Sequence, residues 1–291
     1  MHEKITQETP VVFDCQGRQL LGMIHPADVS ATIGMVIIVG GPQYRVGSHR
    51  QFLLLARQLA AQGIPTLRFD VRGMGDSEGE PRSFSQLDDD IRAAVDCLLA
   101  SCPELTGVVL WGLCDGASAA LFYGYQDSRV KGMVLLNPWV FTAQGAAKTY
   151  LKHYYLQRLF SKDLWGKVFA LKFDYRTSLA SLVGLLKQLG GHQAGQASSA
   201  TVAKVDEAMA LPIRMRECLK QFAHPVLLIL SGRDLTAEEF KETIKSDAGW
   251  QVLLAEKRVS RHDFAEADHT FSSAVWRERV MGWTSAWVGS L

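Results

Sequence analysis

A thiol becomes a strong nucleophile as its thiolate, and one cysteine in this chain has neighbours suited to that use. Cys114 stands in the run Val108-Val109-Leu110-Trp111-Gly112-Leu113-Cys114-Asp115-Gly116-Ala117-Ser118. An apolar strand pattern leads into Gly-x-Cys-x-Gly, and small residues open a helix pattern after it. Small residues two before and two after the cysteine let strand and helix pass closely around a tight turn. The N–H groups and positive dipole end of the following helix would stabilise a thiolate and an oxyanion. The competing reading of the same cysteine is a small buried residue.

A nucleophile of this kind needs a base and a group that orients the base. His269, in Ala267-Asp268-His269-Thr270-Phe271, is the candidate base, because an imidazole can take a thiol proton near neutral pH. His262 is its nearest rival, but the alternation Val259-Ser260-Arg261-His262-Asp263-Phe264 reads as a strand. Asp234 is the candidate acid, following the apolar run Val226 to Ser231 at the edge of a sheet where α/β sites lie. The same aspartate is well placed to cap a helix starting at Leu235. Asp206 and Asp263 are weaker rivals. The oxyanion donors expected are the backbone N–H of Asp115 and one from Gly40-Gly41-Pro42-Gln43. Pro42 has no N–H, so Gln43 is the first choice and Gly41 the second. Tyr44 and Arg45 follow directly and are expected to contact substrate, whereas His49 and Arg50 read as a solvated loop. Arg72 reads as a tie between loops.

These groups have to be held by a sheet. Strand patterns are expected at Val11 to Asp14, Gln19 to His25, Met35 to Val39, Thr66 to Val71, Gly107 to Leu113, Gly132 to Leu136 and Val226 to Ser231. Helical spacing predicts helices over Gln51 to Gln62 and Ser85 to Ala100, and another starting near Ser272. Alternating strands and helices make this an α/β protein with a mostly parallel central sheet flanked by helices. The strand rhythm stops between Pro138 and His224, where helical periodicity returns at Tyr150 to Phe160 and Ser181 to Leu189. The expected organisation is therefore a core at 1–139, a helical cap or lid at 140–215, and the rest of the core at 216–291. An amphipathic cap helix is the favoured reading of Lys148 to Lys172, ahead of a membrane or carrier-docking surface.

Composition narrows the function classes. The 291 residues carry 31 basic and 30 acidic side chains, a net charge of +1, so no strong field recruits nucleic acid or an anionic membrane. Hydrophobic residues make up 47%, which excludes a disordered chain. Five cysteines without a CxxC pair favour a reducing compartment over a disulfide scaffold, and Cys97 and Cys102 lack the partners of a zinc site. No GxxxxGK[ST] is present, and Gly73-Met74-Gly75 is not a dinucleotide fingerprint. The polar start MHEKITQETP lacks a signal-peptide core, and no apolar run reaches the ~20 residues of a transmembrane span. The expectation is a cytoplasmic enzyme that needs no metal or organic cofactor, with the oligomeric state left open.

Several motifs together resemble the α/β-hydrolase family. Phe69-Asp70-Val71-Arg72-Gly73-Met74-Gly75-Asp76-Ser77 is similar to its D-x-R-G-x-G-x-S loop, and Val39 to Gln43 stands where the family places its oxyanion loop. Leu230-Ser231-Gly232-Arg233-Asp234 and Ala267 to Phe271 resemble its acid and histidine loops, in the order nucleophile, acid, histidine. The resemblance implies an α/β-hydrolase fold with a cap insertion and a Cys114-His269-Asp234 triad. Gly40 to Arg50, taken with Trp111 to Asp115, further resembles exosortase A system-associated hydrolases, encoded beside bacterial exopolysaccharide and protein-sorting genes. Acyl transfer through an S-acyl enzyme is the implied chemistry. Its substrate would be a small acyl ester or thioester, carrier- or saccharide-linked by that analogy. A non-catalytic ligand-binding homologue is the alternative, and a redox role for Cys114 a third reading.

Overall fold

The computed structural model describes residues 8–27, 31–140, 205 and 209–291. Among them eight strands form one sheet in the order β1-β2-β4-β3-β5-β6-β7-β8. The strands are β1 (Thr9–Cys15), β2 (Arg18–His25), β3 (Ile33–Ile38), β4 (Thr66–Phe69), β5 (Gly107–Leu113), β6 (Val130–Leu136), β7 (Val226–Arg233) and β8 (Val259–Asp268). β1 pairs β2, and β2 pairs β4, antiparallel; every pairing from β4 onward is parallel. Helices α1 (Gln51–Ala61), α2 (Asp88–Ser101), α3 (Asp115–Gly124), α4 (Leu211–Gln221), α5 (Leu235–Ser246), α6 (Ala248–Leu254) and α7 (Ala274–Val288) connect or follow the strands. This is the α/β-hydrolase fold expected from the sequence.

The central strands are buried on both faces, which explains their unbroken apolar runs. All seven residues of β5 are buried, and β3 has one residue that is not fully so. On one face Met35, Ile37, Trp111, Val134 and Ile229 pack with Phe52, Leu55 and Leu59 of α1. Phe52 meets Trp111 edge to face at 5.6 Å. α4 begins inside the stretch read as an insert and buries Met215, Cys218 and Leu219. The described residues up to Val140 and from Met209 onward form one compact unit. The expected cap, including the helices read at 150–160 and 181–189, lies outside the described residues.

Two boundaries differ from the sequence reading in instructive ways. α2 starts at Asp88 rather than Ser85, because Ser83 caps a separate 3-10 turn, Phe84–Gln86. Three aspartates then occupy the first turn of α2, where the helix dipole favours negative charge. β8 runs on past Phe264 to Asp268, with a register shift near Ser231 and Arg233 that restores pairing between Arg233 and Asp268. The residues that leave the paired ends are Asp234 and His269, so strand register alone brings acid and base loops together.

Candidate active site

Cys114 occupies the turn between β5 and α3 with φ 60 and ψ −125, a conformation that costs a non-glycine residue strain. Its neighbours hold it there. The Cys114 N–H donates to the Leu136 carbonyl at 2.9 Å, and the Cys114 carbonyl accepts from the N–H groups of Ala117 (3.1 Å) and Trp139 (3.2 Å). Ser118 Oγ donates to the Trp139 carbonyl at 2.7 Å, securing the segment after β6. The flanking glycines are required by close packing. A Cβ on Gly112 would collide with the Gly116 backbone, and one on Gly116 would lie 2.6 Å from the Ile38 carbonyl.

Asp234 and His269 meet as their strand register dictates. His269 Nδ1 lies 2.8 Å from Asp234 Oδ2. The carboxylate also caps α5, accepting from the N–H groups of Thr236 (3.1 Å) and Ala237 (3.0 Å). The capping and orienting roles that the sequence offered as alternatives are thus met by one side chain, and the cap fixes the rotamer that presents Oδ2 to the histidine. Burial disfavours a charged His269, but hydrogen bonds and charge from Asp234 and Cys114 outweigh it and raise its pKa to about 10. The Nδ1 contact with Asp234 leaves Nε2 for the thiol.

Asn137, which no motif marked, braces this arrangement. It is fully buried at φ 43. Its Nδ2 donates to the His269 carbonyl at 3.0 Å, and its Oδ1 accepts the Ser231 N–H at 2.8 Å. One side chain therefore joins the ends of β6 and β7 to the histidine loop. That loop is closed by Asp268, which accepts from the Ser272 N–H at 2.9 Å and from the Ser272 hydroxyl. The rivals stand elsewhere or are otherwise engaged. His262 stacks on Trp283 with centroids 4.3 Å apart, and Asp263 pairs with Arg261 at 2.8 Å. Asp206 lies outside the described residues.

The Gly40–Gln43 loop, where oxyanion donors were expected, is arranged differently. The Gln43 N–H donates to the Gly41 carbonyl at 2.8 Å, and Gln43 Oε1 accepts from the Ser48 N–H (3.0 Å) and hydroxyl (3.2 Å). Both ends of Gln43 are thus committed within the loop. The Asp115 carboxylate accepts the Gly116 N–H through Oδ1 at 3.0 Å. Burial pushes the Asp115 carboxyl up, while nearby backbone N–H groups and the His269 charge hold it back. A Cβ on Gly40 would collide with Asp115 Oδ1. Arg45 is tied in by Asp70: its backbone N–H donates to Asp70 Oδ1 at 2.6 Å, and its guanidinium pairs with Asp70 Oδ2 and, at 2.8 Å, with Asp76. Tyr44 is 49% exposed. Arg72 clasps the buried Asp90 with its N–H groups, the loop tie expected of it.

A cavity of about 230 Å³ adjoins the oxyanion loop, lined by Gly41, Pro42, Met74, Arg82, Phe84 and Asp115 among others. A larger groove of about 570 Å³ between β1 and α2 shares none of the site's residues. Among the described residues no helix is long and apolar enough to cross a membrane.

Comparison with known proteins agrees with the fold. An esterase of Pyrococcus furiosus superposes with a TM-score of 0.65 at 16% identity, covering 98% of this chain and 91% of that one. Est1E from Butyrivibrio proteoclasticus, with ferulic acid bound, superposes at 0.62 and 16%, covering 96% and 98%. An uncharacterized protein of Pseudomonas aeruginosa is 34% identical over 105 residues, a match spanning 34% of this chain and 27% of that protein. A family described as serine aminopeptidase, S33 (Hydrolase_4), matches residues 33–239. That match runs from β3 into the start of α5, including the Cys114 turn and Asp234, and the chain belongs to this α/β-hydrolase family, with cysteine at the turn after β5.

Proposed function

We propose that this protein is a cysteine-dependent hydrolase or acyl-transfer enzyme acting on esters or thioesters through an S-acyl intermediate. The observation that carries the reading is the Asp234-His269 pair, 2.8 Å apart, with Cys114 acting on the same imidazole from a strained elbow. Cys114 sulfur attacks the acyl carbon, forming a C–S bond while the carbonyl electron pair moves to oxygen. The N–H groups of Asp115 and Gly41 are the donors for that oxyanion. Gln43, whose N–H is already engaged, supports the loop. The adduct collapses by breaking the bond to the leaving oxygen or sulfur, which takes a proton from His269.

Having given its proton to the leaving group, the neutral imidazole can accept a proton from water, or from another acceptor, as that acceptor attacks the thioester. Asp234 orients the ring throughout. Arg45, locked to Asp70 and Asp76, acts as a tie for the oxyanion loop, and Tyr44 is the exposed side chain left to meet substrate. The similarity of Gly40 to Arg50 to exosortase-associated hydrolases supports a saccharide- or carrier-linked acyl group as the natural substrate.

Turnover of a panel of p-nitrophenyl esters and acyl-CoA thioesters tests the reading. The expected outcome is hydrolysis by the wild type, an acyl adduct on Cys114 by mass spectrometry, and a loss of about a thousandfold or more in Cys114→Ala. Wild-type rates in the pure Cys114→Ala protein would exclude Cys114 as nucleophile. Binding without turnover across both substrate classes would favour a ligand-binding homologue.

A further inference from the structure

Among the described residues β8 is the last strand of the sheet, with β7 on one side and no strand on the other. The Val226 N–H donates to the Arg258 carbonyl at 2.8 Å, and Val226 lies beside Val259. In a parallel ladder that parity turns the backbone groups of Ser260 and His262 toward β7 and those of Arg261 and Asp263 away from it. Arg261 and Asp263 therefore point their N–H and C=O groups out of the sheet, and both residues are exposed. Their side chains share one face and pair with each other at 2.8 Å. An open edge accepts another strand unless the chain guards it. Charges of one sign would repel a second copy of the same edge. Here the signs alternate, basic just before His262 and acidic just after it.

We propose that this edge pairs with β8 of a second copy of the chain, antiparallel and in register about His262. A twofold axis at His262 sets Arg261 opposite the partner's Asp263, and Asp263 opposite the partner's Arg261. All of these residues turn their backbone groups outward, so each opposed pair exchanges both of its N–H···O=C bonds. Their side chains lie on one face of the joined sheet and form a ring of alternating charge. A shift of one residue would set outward backbone groups against inward ones. Moving the axis to Arg261 would oppose two arginines, and moving it to Asp263 would oppose two aspartates. On the other face His262 stacks on Trp283 of α7 with centroids 4.3 Å apart, and Trp276 and Trp283 stand 6.5 and 5.3 Å from Phe264. His262 and both tryptophans are half-buried. At the axis the opposed residues are a non-hydrogen-bonded pair, whose side chains approach most closely, so the two His262–Trp283 stacks cover each other. A strand of a different protein could fill the backbone edge but would have no reason to match this self-inverse order of charge.

Sedimentation equilibrium of the full chain reads the pairing directly. The wild type is expected to be a dimer with a micromolar Kd. Arg261→Asp and Asp263→Arg each set like charges opposite one another on both sides of the axis, and each is expected to raise Kd about a hundredfold. The double variant Arg261→Asp/Asp263→Arg inverts both charges, keeps them complementary and is expected to dimerise as the wild type does. Mixing the two single variants is expected to give a heterodimer, because the acids of one copy then face the bases of the other. A variant that had merely misfolded would not be rescued by mixing. A wild type that stays monomeric up to about 100 µM overturns the pairing and leaves the edge to a different partner. A dimer whose Kd neither reversal moves overturns β8 as the interface. Reversals that weaken the dimer without rescue in the mixture overturn the register about His262.

Discussion

The two sides of Cys114 are prepared to different degrees. On the acid-base side, Asp234 is fixed by its cap on α5, His269 by Asp234, and the histidine loop by Asn137 and Asp268. Each group there has its partner before any substrate arrives. On the side of the Gly40–Gln43 loop, the Gln43 N–H is spent on the Gly41 carbonyl and the Asp115 carboxylate accepts the Gly116 N–H. The first side is braced between separate elements, whereas Gln43 bonds within its own loop.

The largest expected effect breaks the prepared side. Asp234→Asn retains a capping side chain but loses the charge that holds the imidazolium and sets its tautomer, and kcat should fall by about 10³- to 10⁴-fold. It should lose the stability that the charge pair with His269 contributes but keep the cap, while Asp234→Ala should lose the cap as well, at about 1 kcal/mol more. Equal destabilisation of both variants with little change in rate would reduce Asp234 to a helix cap.

A smaller effect is expected from the brace. Asn137→Ala leaves the Ser231 N–H and the His269 carbonyl without their partner in a fully buried place, costing about 1–3 kcal/mol. The histidine loop should shift, with kcat down by about tenfold, short of the cost of a 1 Å misplacement. Chemical denaturation and steady-state rates on the same preparation separate the two. A stability loss with an unaltered rate would show that β6 and β7 hold the loop without Asn137.

The gentlest test is pH. His269 titrates near 6.5 when unfolded and at about 10 in the folded protein. The stability contributed by its charged form is therefore complete below 6.5, declines as pH rises, and is gone above about 10. Melting temperatures between pH 6.5 and 10 should fall more steeply for the wild type than for His269→Ala. Parallel slopes would mean that the imidazolium is not held by Asp234 and Cys114.

Much of this arrangement was legible before any coordinates. Buried parallel strands announce themselves as unbroken apolar runs, and β5 matches its expected span at Gly107 to Leu113. Cys114, Asp234 and His269 could be picked out because each follows such a strand or belongs to a recognisable loop. Where the sequence fell short, the missing information was conformational. Asn137 is one polar residue after a strand, and nothing in its type or spacing says that both amide ends are used. Gln43 was ranked ahead of Gly41, yet its N–H is spent on the Gly41 carbonyl, because the direction of an N–H depends on a turn that Pro42 helps form. Asp115 was read for its backbone alone, and nothing in the sequence says that its carboxylate accepts the Gly116 N–H. The length of β8 escaped notice because Glu266 and Ala265 dilute its apolar pattern, while pairing with β7 carries it on to Asp268.

The order of the strands has a consequence for the birth of the molecule. Cys114 leaves the ribosome early, on a central strand, whereas β8 at the far edge of the sheet and the histidine loop beyond it emerge much later. Until β8 docks on β7, Cys114 has no His269 beside it. If Cys114 is the proposed nucleophile, a nascent or truncated chain carries it without its base, and its reactivity appears only once β8 pairs with β7. Awakening of that one sulfur would therefore report, in a refolding or translation reaction, the moment at which the fold is finished.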